Sequence, residues 1–434
     1  MILGNLLVVN TGFDSIFNEI YDEVLEIPLV DIHEHLDPSK LSHSSFEDIL
    51  FYHYIVTELY SAGMDRSEFE RRRGIDRLAY ALQYFRYIRN TATFWSLRQI
   101  LKDLYNLDVK AIDESNWRDV VSAIESRAGD ENRAFEVLTK VCRVRKSFLT
   151  LNPFADIGGY RKDVFVGVLR IDNLVTYLSK DSLLGLEKIT GIEIQTVEDL
   201  DKAIEALFKK FESEIVAVAL SPLPEELYRF VRPSEIQLYL KDLRIRGHID
   251  LRAKQLLSSY ILMKFLDLCN EYKKVFQFMI GVERPVPGAS PPDYAITHVN
   301  YDQLLNLANI FASYPNVKFD VIGADMRLLH PLTVMAKNYR NVFVSGYWWY
   351  SMYPSIIREY LRLRLQMLPY NKSCGFFSDA YVADWVYGKA VLAKKQIAYV
   401  LSELVYEGYI DMELAIEIAN GLLHENAENI YDIK

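Results

Sequence analysis

Short apolar runs recur along this chain, and most of them are separated by stretches with helical spacing. Residues 27–32, 164–170, 215–220, 275–281, 317–322, 341–345 and 373–377 each read as a buried strand. A further strand is expected near residues 148–151. Strands that alternate with helices imply a parallel sheet with helical crossovers. Eight of them predict a closed (β/α)8 TIM barrel of the α/β class, whose first and last strands are neighbours and whose active site lies at the C-terminal ends of the strands. At 434 residues the chain is long for one domain but suits a barrel with insertions.

The helical excess is concentrated in one place. The first strand falls within residues 1–40. Residues 41–147 then keep a helical, charged pattern and read as an insertion able to roof the barrel mouth. Residues 148–434 supply the remaining barrel and the C-terminal helices. One helical stretch is expected at residues 46–61, closed by Gly63, and another at residues 383–406. The Pro-rich loop at residues 284–292 follows a strand and reads as a rigid active-site loop.

The first strand runs into Asp31-Ile32-His33-Glu34-His35-Leu36. Residues two apart on a strand share a face, so His33 and His35 project together while Glu34 points away. Two imidazoles on one face make half of a divalent transition-metal site, although a surface or core histidine pair would read the same way. At the other end of the chain, Cys374-Gly375-Phe376-Phe377-Ser378-Asp379 is an apolar run that stops at Ser-Asp. In a closed barrel Asp379 would meet His33 and His35 on one ion. Its alternative role is the N-cap of the following helix.

Composition narrows the classes. Three widely spaced cysteines show no Cys-x-x-Cys pattern, which argues against a disulfide scaffold and a zinc ribbon and fits a reducing cytoplasm. The net charge of −10, with no basic stripe, makes nucleic acid and anionic membranes poor partners. The opening residues 1–9 are too short, and lack the basic flank, for a signal peptide. No apolar run approaches a membrane span.

Several segments together resemble the uronate (glucuronate/galacturonate) isomerases of the amidohydrolase superfamily. They are Asp31-Ile32-His33-Glu34-His35-Leu36, the His53-Tyr54 pair, Arg89-Asn90-Thr91-Ala92-Thr93-Phe94, Met279-Ile280-Gly281-Val282-Glu283-Arg284, and Asn341 through Gly346-Tyr347-Trp348-Trp349-Tyr350. The resemblance implies a cytoplasmic aldose–ketose isomerase of a sugar acid, working through an ene-diolate stabilised by one divalent ion, Zn or Mn, with a homo-oligomeric state open. It implies His33, His35 and Asp379 as ligands and Asp379 also as the base. His53 and Tyr54 would polarise substrate oxygens or shuttle protons. His330, Trp348, Trp349, Tyr381 and Arg89 would contact substrate. Arg170 at a strand end and Arg284 in the loop after a strand read from their own positions as substrate-binding residues, with a surface salt bridge as the alternative.

The chain departs from the family at the last strand, where Asp-x-Arg is replaced by Asp379-Ala380-Tyr381. A tyrosine donates one hydrogen bond and cannot clamp a carboxylate at two points. Arg284 could supply the missing charge. The change also leaves room for a metal-dependent hydrolase or decarboxylase of the same superfamily, and a non-catalytic sugar-acid-binding barrel is a third reading. Gln277 stands where the superfamily often has a further histidine ligand, which favours a single-metal site.

Overall fold

In the computed structural model, residues 11–289 and 294–433 are described. The opening segment at residues 1–9 and positions 290–292 of the Pro-rich loop lie outside them. Seven parallel strands form one curved sheet in chain order. They are β1 Leu29–Glu34, β2 Val144–Leu151, β3 Phe165–Arg170, β4 Ile215–Leu220, β5 Val275–Ile280, β6 Phe319–Gly323 and β7 Val342–Val344. A short antiparallel pair, Val282–Glu283 with Ile296–Thr297, follows β5.

The eighth stave is extended but makes no regular ladder. The Gly346 N–H donates to the Cys374 carbonyl at 2.8 Å, which ties the segment to the chain leaving β7. On its other edge the Asp379 N–H donates to the His33 carbonyl (3.1 Å) and the His35 N–H to the Ala380 carbonyl (2.9 Å). Between these anchors the backbone bonds are diverted. The Ser378 N–H goes to the Asp31 carboxylate, the Cys374 N–H to the Ser345 hydroxyl, and the Gly375 N–H to the Leu422 carbonyl. The expected strand at residues 373–377 therefore closes the (β/α)8 barrel through scattered backbone and side-chain bonds rather than a regular ladder.

The interior is filled by Val30, Ile32, Phe148, Val168, Ala217, Val275, Met279, Ile322 and Phe377. The outer faces of the strands pack on helices. Helix Asn426–Tyr431 covers the N-terminal end. There the Lys318 ammonium holds the Asn429 and Ile430 carbonyls, and Tyr431 stacks edge-on against Phe148 inside the barrel.

Between β1 and β2 the chain is helical, from Phe46–Leu50 to Glu131–Glu136 and a π-turn at Val137–Val141. β2 begins at Val144, inside the stretch expected to be helical. The helix expected at residues 46–61 breaks in two at Phe51-Tyr52, so His53 and Tyr54 open the helix His53–Ser61. The final long helix is Ala383–Tyr406, as expected. Among the described residues no helix is long and apolar enough to cross a membrane.

Candidate active site

Strict alternation along β1 would turn His33 away from the barrel. Val30 and Ile32 face the interior and Leu29 faces the helices, so an odd-numbered residue belongs outside. A bulge corrects this. Asp31 pairs with Ser147, but Glu34 pairs with Leu149, so three steps on β1 match two on β2. The extra residue re-phases the strand and delivers His33 and His35 to the mouth. Their rings lie 5.0 Å apart.

Asp379 meets them there. Its Oδ1 lies 3.5 Å from His33 Nε2 and 3.2 Å from His35 Nε2. One ligand atom from each residue falls within 4.8 Å of the others, and no other such group occurs among the described residues. Two ligands about 2.1 Å from a tetrahedral ion stand about 3.4 Å apart, so the observed separations match shared coordination. The protonation states suit it too. Burial pushes His33 down to about 4, leaving a neutral imidazole. Burial alone would raise Asp379, but hydrogen bonds from His33 and His35 and the charge of Lys389 outweigh it and hold the carboxyl well below its ordinary range. The donor set therefore fits a divalent ion.

The second carboxylate oxygen of Asp379, Oδ2, accepts from the Tyr54 hydroxyl at 2.8 Å. His53 packs against Tyr54 (4.0 Å), Tyr52 (4.2 Å) and Tyr381 (5.2 Å), and burial, helped by Lys389, pushes it down to about 3. Tyr381 lies almost parallel to His35, with ring centroids 5.1 Å apart, and is 51% exposed. Burial lifts its hydroxyl to about 12 against the opposing charge of Arg284.

These groups line one cavity of about 320 Å³, with Arg170, Arg284, Trp348 and Thr150 completing the wall. Thr150 is the one lining residue that sequence reasoning did not single out. Its hydroxyl bonds the Glu34 carbonyl, and a threonine near the end of a strand carries no distinguishing signal. Arg170, at the end of β3, is clamped by Asp172 and Ser221. Gln277 spans the barrel interior to the Ile32 carbonyl and the Tyr431 hydroxyl and adds no ligand.

Two predicted contacts are not brought to the cavity. His330 sits on the exposed side of the first turn of helix Leu329–Asn338. Arg89 is exposed between helices of the insertion, with Nε donating to the Arg86 carbonyl. In both cases the resemblance supplied a sequence position, and the local turn aims the side chain outward. Trp349 begins a short 3-10 turn, and its side chain lies outside the described residues.

Sequence reasoning missed the buried polar layer beneath the site. Asp31 is pushed up to about 7 by burial, and Glu34 is raised well above its usual range by burial and by Asp31. Lys389 and Tyr52 lie behind Asp379.

No family model and no curated protein sequence matches the chain. Solved structures do. The uronate isomerase of Thermotoga maritima superposes with a TM-score of 0.86 at 16% identity, covering 96% of this chain and 97% of its own. The chain shares the uronate isomerase fold. The glucuronate isomerase of Caulobacter crescentus gives a TM-score of 0.86 at 15% identity over 98% and 95% of the two chains. The uronate isomerase of Bacillus halodurans gives 0.76 at 19% identity over 97% of each.

Proposed function

We propose that this protein is a metal-dependent aldose–ketose isomerase acting on a sugar acid of the glucuronate/galacturonate class. The observation that carries the reading is the convergence of His33, His35 and Asp379 within 4.8 Å at the mouth of a barrel of uronate isomerase fold. A Zn or Mn ion held by these three would polarise the substrate carbonyl and its neighbouring hydroxyl, lowering the cost of the ene-diolate.

The chain's own groups do the rest. Asp379 is held ionised and can take the carbon-bound proton at Oδ2, the oxygen that the Tyr54 hydroxyl faces. That hydroxyl stands ready to pass a proton to the former carbonyl oxygen, and return of the Asp379 proton to the adjacent carbon, with loss of the neighbouring hydroxyl proton, would complete the isomerisation. Neutral His53, in ring contact with Tyr52, Tyr54 and Tyr381, offers a second polar contact without adding charge. Arg170 and Arg284 both line the cavity and offer positive charge to the substrate carboxylate. Trp348 gives an apolar wall for a sugar face. Cys142, Cys269 and Cys374 are buried and unpaired, which supports a reducing, cytoplasmic setting.

The test is direct. Protein loaded with Zn or Mn is incubated with glucuronate and with galacturonate, and the ketose acids are resolved by chromatography. Conversion of either is the expected result. Metal-loaded protein that converts neither refutes the assignment.

A further inference from the structure

Lys389 is a buried lysine on helix Ala383–Tyr406. Its ammonium donates to the Tyr52 hydroxyl at 2.9 Å and to the Asp379 carbonyl at 3.3 Å. The Tyr52 hydroxyl donates to the same carbonyl at 2.8 Å. On the other side of the residue, the Asp379 N–H donates to the His33 carbonyl at 3.1 Å. Between these anchors Asp379 has φ +52°, the left-handed region that a non-glycine residue keeps only when its surroundings over-determine it.

We infer that Lys389 and Tyr52 form a brace that holds Asp379 in this conformation and so sets both of its carboxylate oxygens. One is aimed at the two imidazoles and the other at Tyr54. The brace is itself fixed. The Tyr52 ring stacks on Trp385 at 4.1 Å and 17°, and the Lys389 ammonium lies over the rings of Tyr52 and Tyr54, 5.1 and 4.9 Å from their centres. Lys389 borders a pocket with Phe376, Phe377 and Trp385 that shares Tyr54 with the cleft carrying the imidazoles, and Lys389 does not line that cleft. It is therefore a positioning residue. The inference rests on the metal reading of the cluster and is independent of which sugar acid is the substrate.

Cobalt(II) is the probe, titrated into the full-length protein by competition with a chromogenic chelator while its visible absorption band is recorded. Lys389→Met and Tyr52→Phe should each weaken cobalt binding about tenfold to a hundredfold and shift the band, as loss of support behind a ligand does. Lys389→Arg should recover part of the affinity. Lys394→Met is the control. Lys394 is buried on the same helix but caps the Leu25 and Ile27 carbonyls, so its loss should lower thermal stability and leave the cobalt affinity and spectrum intact. Wild-type affinity and spectrum in Lys389→Met or Tyr52→Phe would overturn the brace. Equal losses in Lys394→Met would overturn it too, because affinity would then merely follow stability. If Lys389→Met does not fold, Tyr52→Phe decides alone, since it removes one hydroxyl and keeps the stacked ring. If wild type takes up cobalt and the variants behave as expected, but no sugar acid turns over, the substrate assignment fails and the brace stands. Wild type that takes up no cobalt overturns both.

Discussion

The loop that carries Asp379 runs straight into a buried ion pair, and that pair offers the most quantitative test of how the insertion is locked to the barrel. Asp384, in the first turn of helix Ala383–Tyr406, is fully buried. Arg133, from the insertion, donates to its two oxygens at 2.9 and 3.3 Å, and the Tyr105 hydroxyl donates at 2.9 Å. His43 Nδ1 stands 3.7 Å away. Asp384→Ala would leave the Arg133 guanidinium, 14% exposed, without its counter-charge. Breaking a buried pair in this way costs about 3–5 kcal/mol. Unfolding entropy near 2.1 cal/mol/K per residue gives roughly 0.9 kcal/mol/K for 434 residues, so the melting temperature should fall by about 3–6 °C. Replacing both partners, Asp384→Leu with Arg133→Met, should recover most of that loss, because no unpaired charge stays buried.

The pH dependence has a defined sign. Burial pushes Asp384 up, but His43 and Arg133 outweigh it and hold the carboxyl below its ordinary 3.8. Its contribution is present above pH 3.8 and is lost as the pH falls through the lower folded value. Burial pushes His43 down, but Asp384 and the Ile124 carbonyl raise it above 6.5. That contribution is full below pH 6.5 and is lost as the pH rises through the folded value. Wild type should therefore lose stability on both sides of this window, and Asp384→Ala should show a flatter profile. Calorimetry across pH measures both effects. A melting point within 1 °C of wild type, or a double variant no better than the single one, would refute the reasoning.

Three further outcomes are expected. Tyr54→Phe removes the hydrogen bond to an ionised carboxylate, worth about 1.5–3 kcal/mol, so kcat/KM should fall about tenfold to a hundredfold while metal uptake persists. Adding Zn or Mn to chelated protein at about a hundredfold excess over Kd should stabilise it by ~2.7 kcal/mol, a rise of about 3 °C in a thermal melt, and Asp379→Asn should abolish the response. Gly346→Ala should lower the melting point at least as much as Asp384→Ala. Gly346 has φ +59°, and an added Cβ would stand 2.1 Å from the Phe377 ring that packs against His33.

Most of the sheet was legible because barrel strands are buried on both faces and therefore read as unbroken apolar runs. β2 was the faint one, since its first turn of sequence, Val144-Arg145-Lys146-Ser147, places an exposed arginine and a half-buried lysine on a strand. The eighth stave was legible as a run, yet nothing in Ser373 through Ser378 announces that its backbone N–H groups go to Asp31, Ser345 and Leu422. The bulge at Ile32-His33 was also hidden, because no glycine or proline marks it.

The site divides along the same physical line. His33, His35 and Asp379 end apolar strands, where a polar residue stands out against its neighbours. The groups that aim them do not stand out. A lysine at helical spacing, such as Lys389, reads as a solvated face, and Tyr52 reads as one more aromatic in a helical stretch. Their meaning comes only from closure of the barrel, which brings positions 327 and 337 residues apart into hydrogen-bonding contact. Pattern along the chain therefore reveals which atoms can do chemistry, whereas the support that fixes their direction is built from contacts too distant in sequence for periodicity to carry.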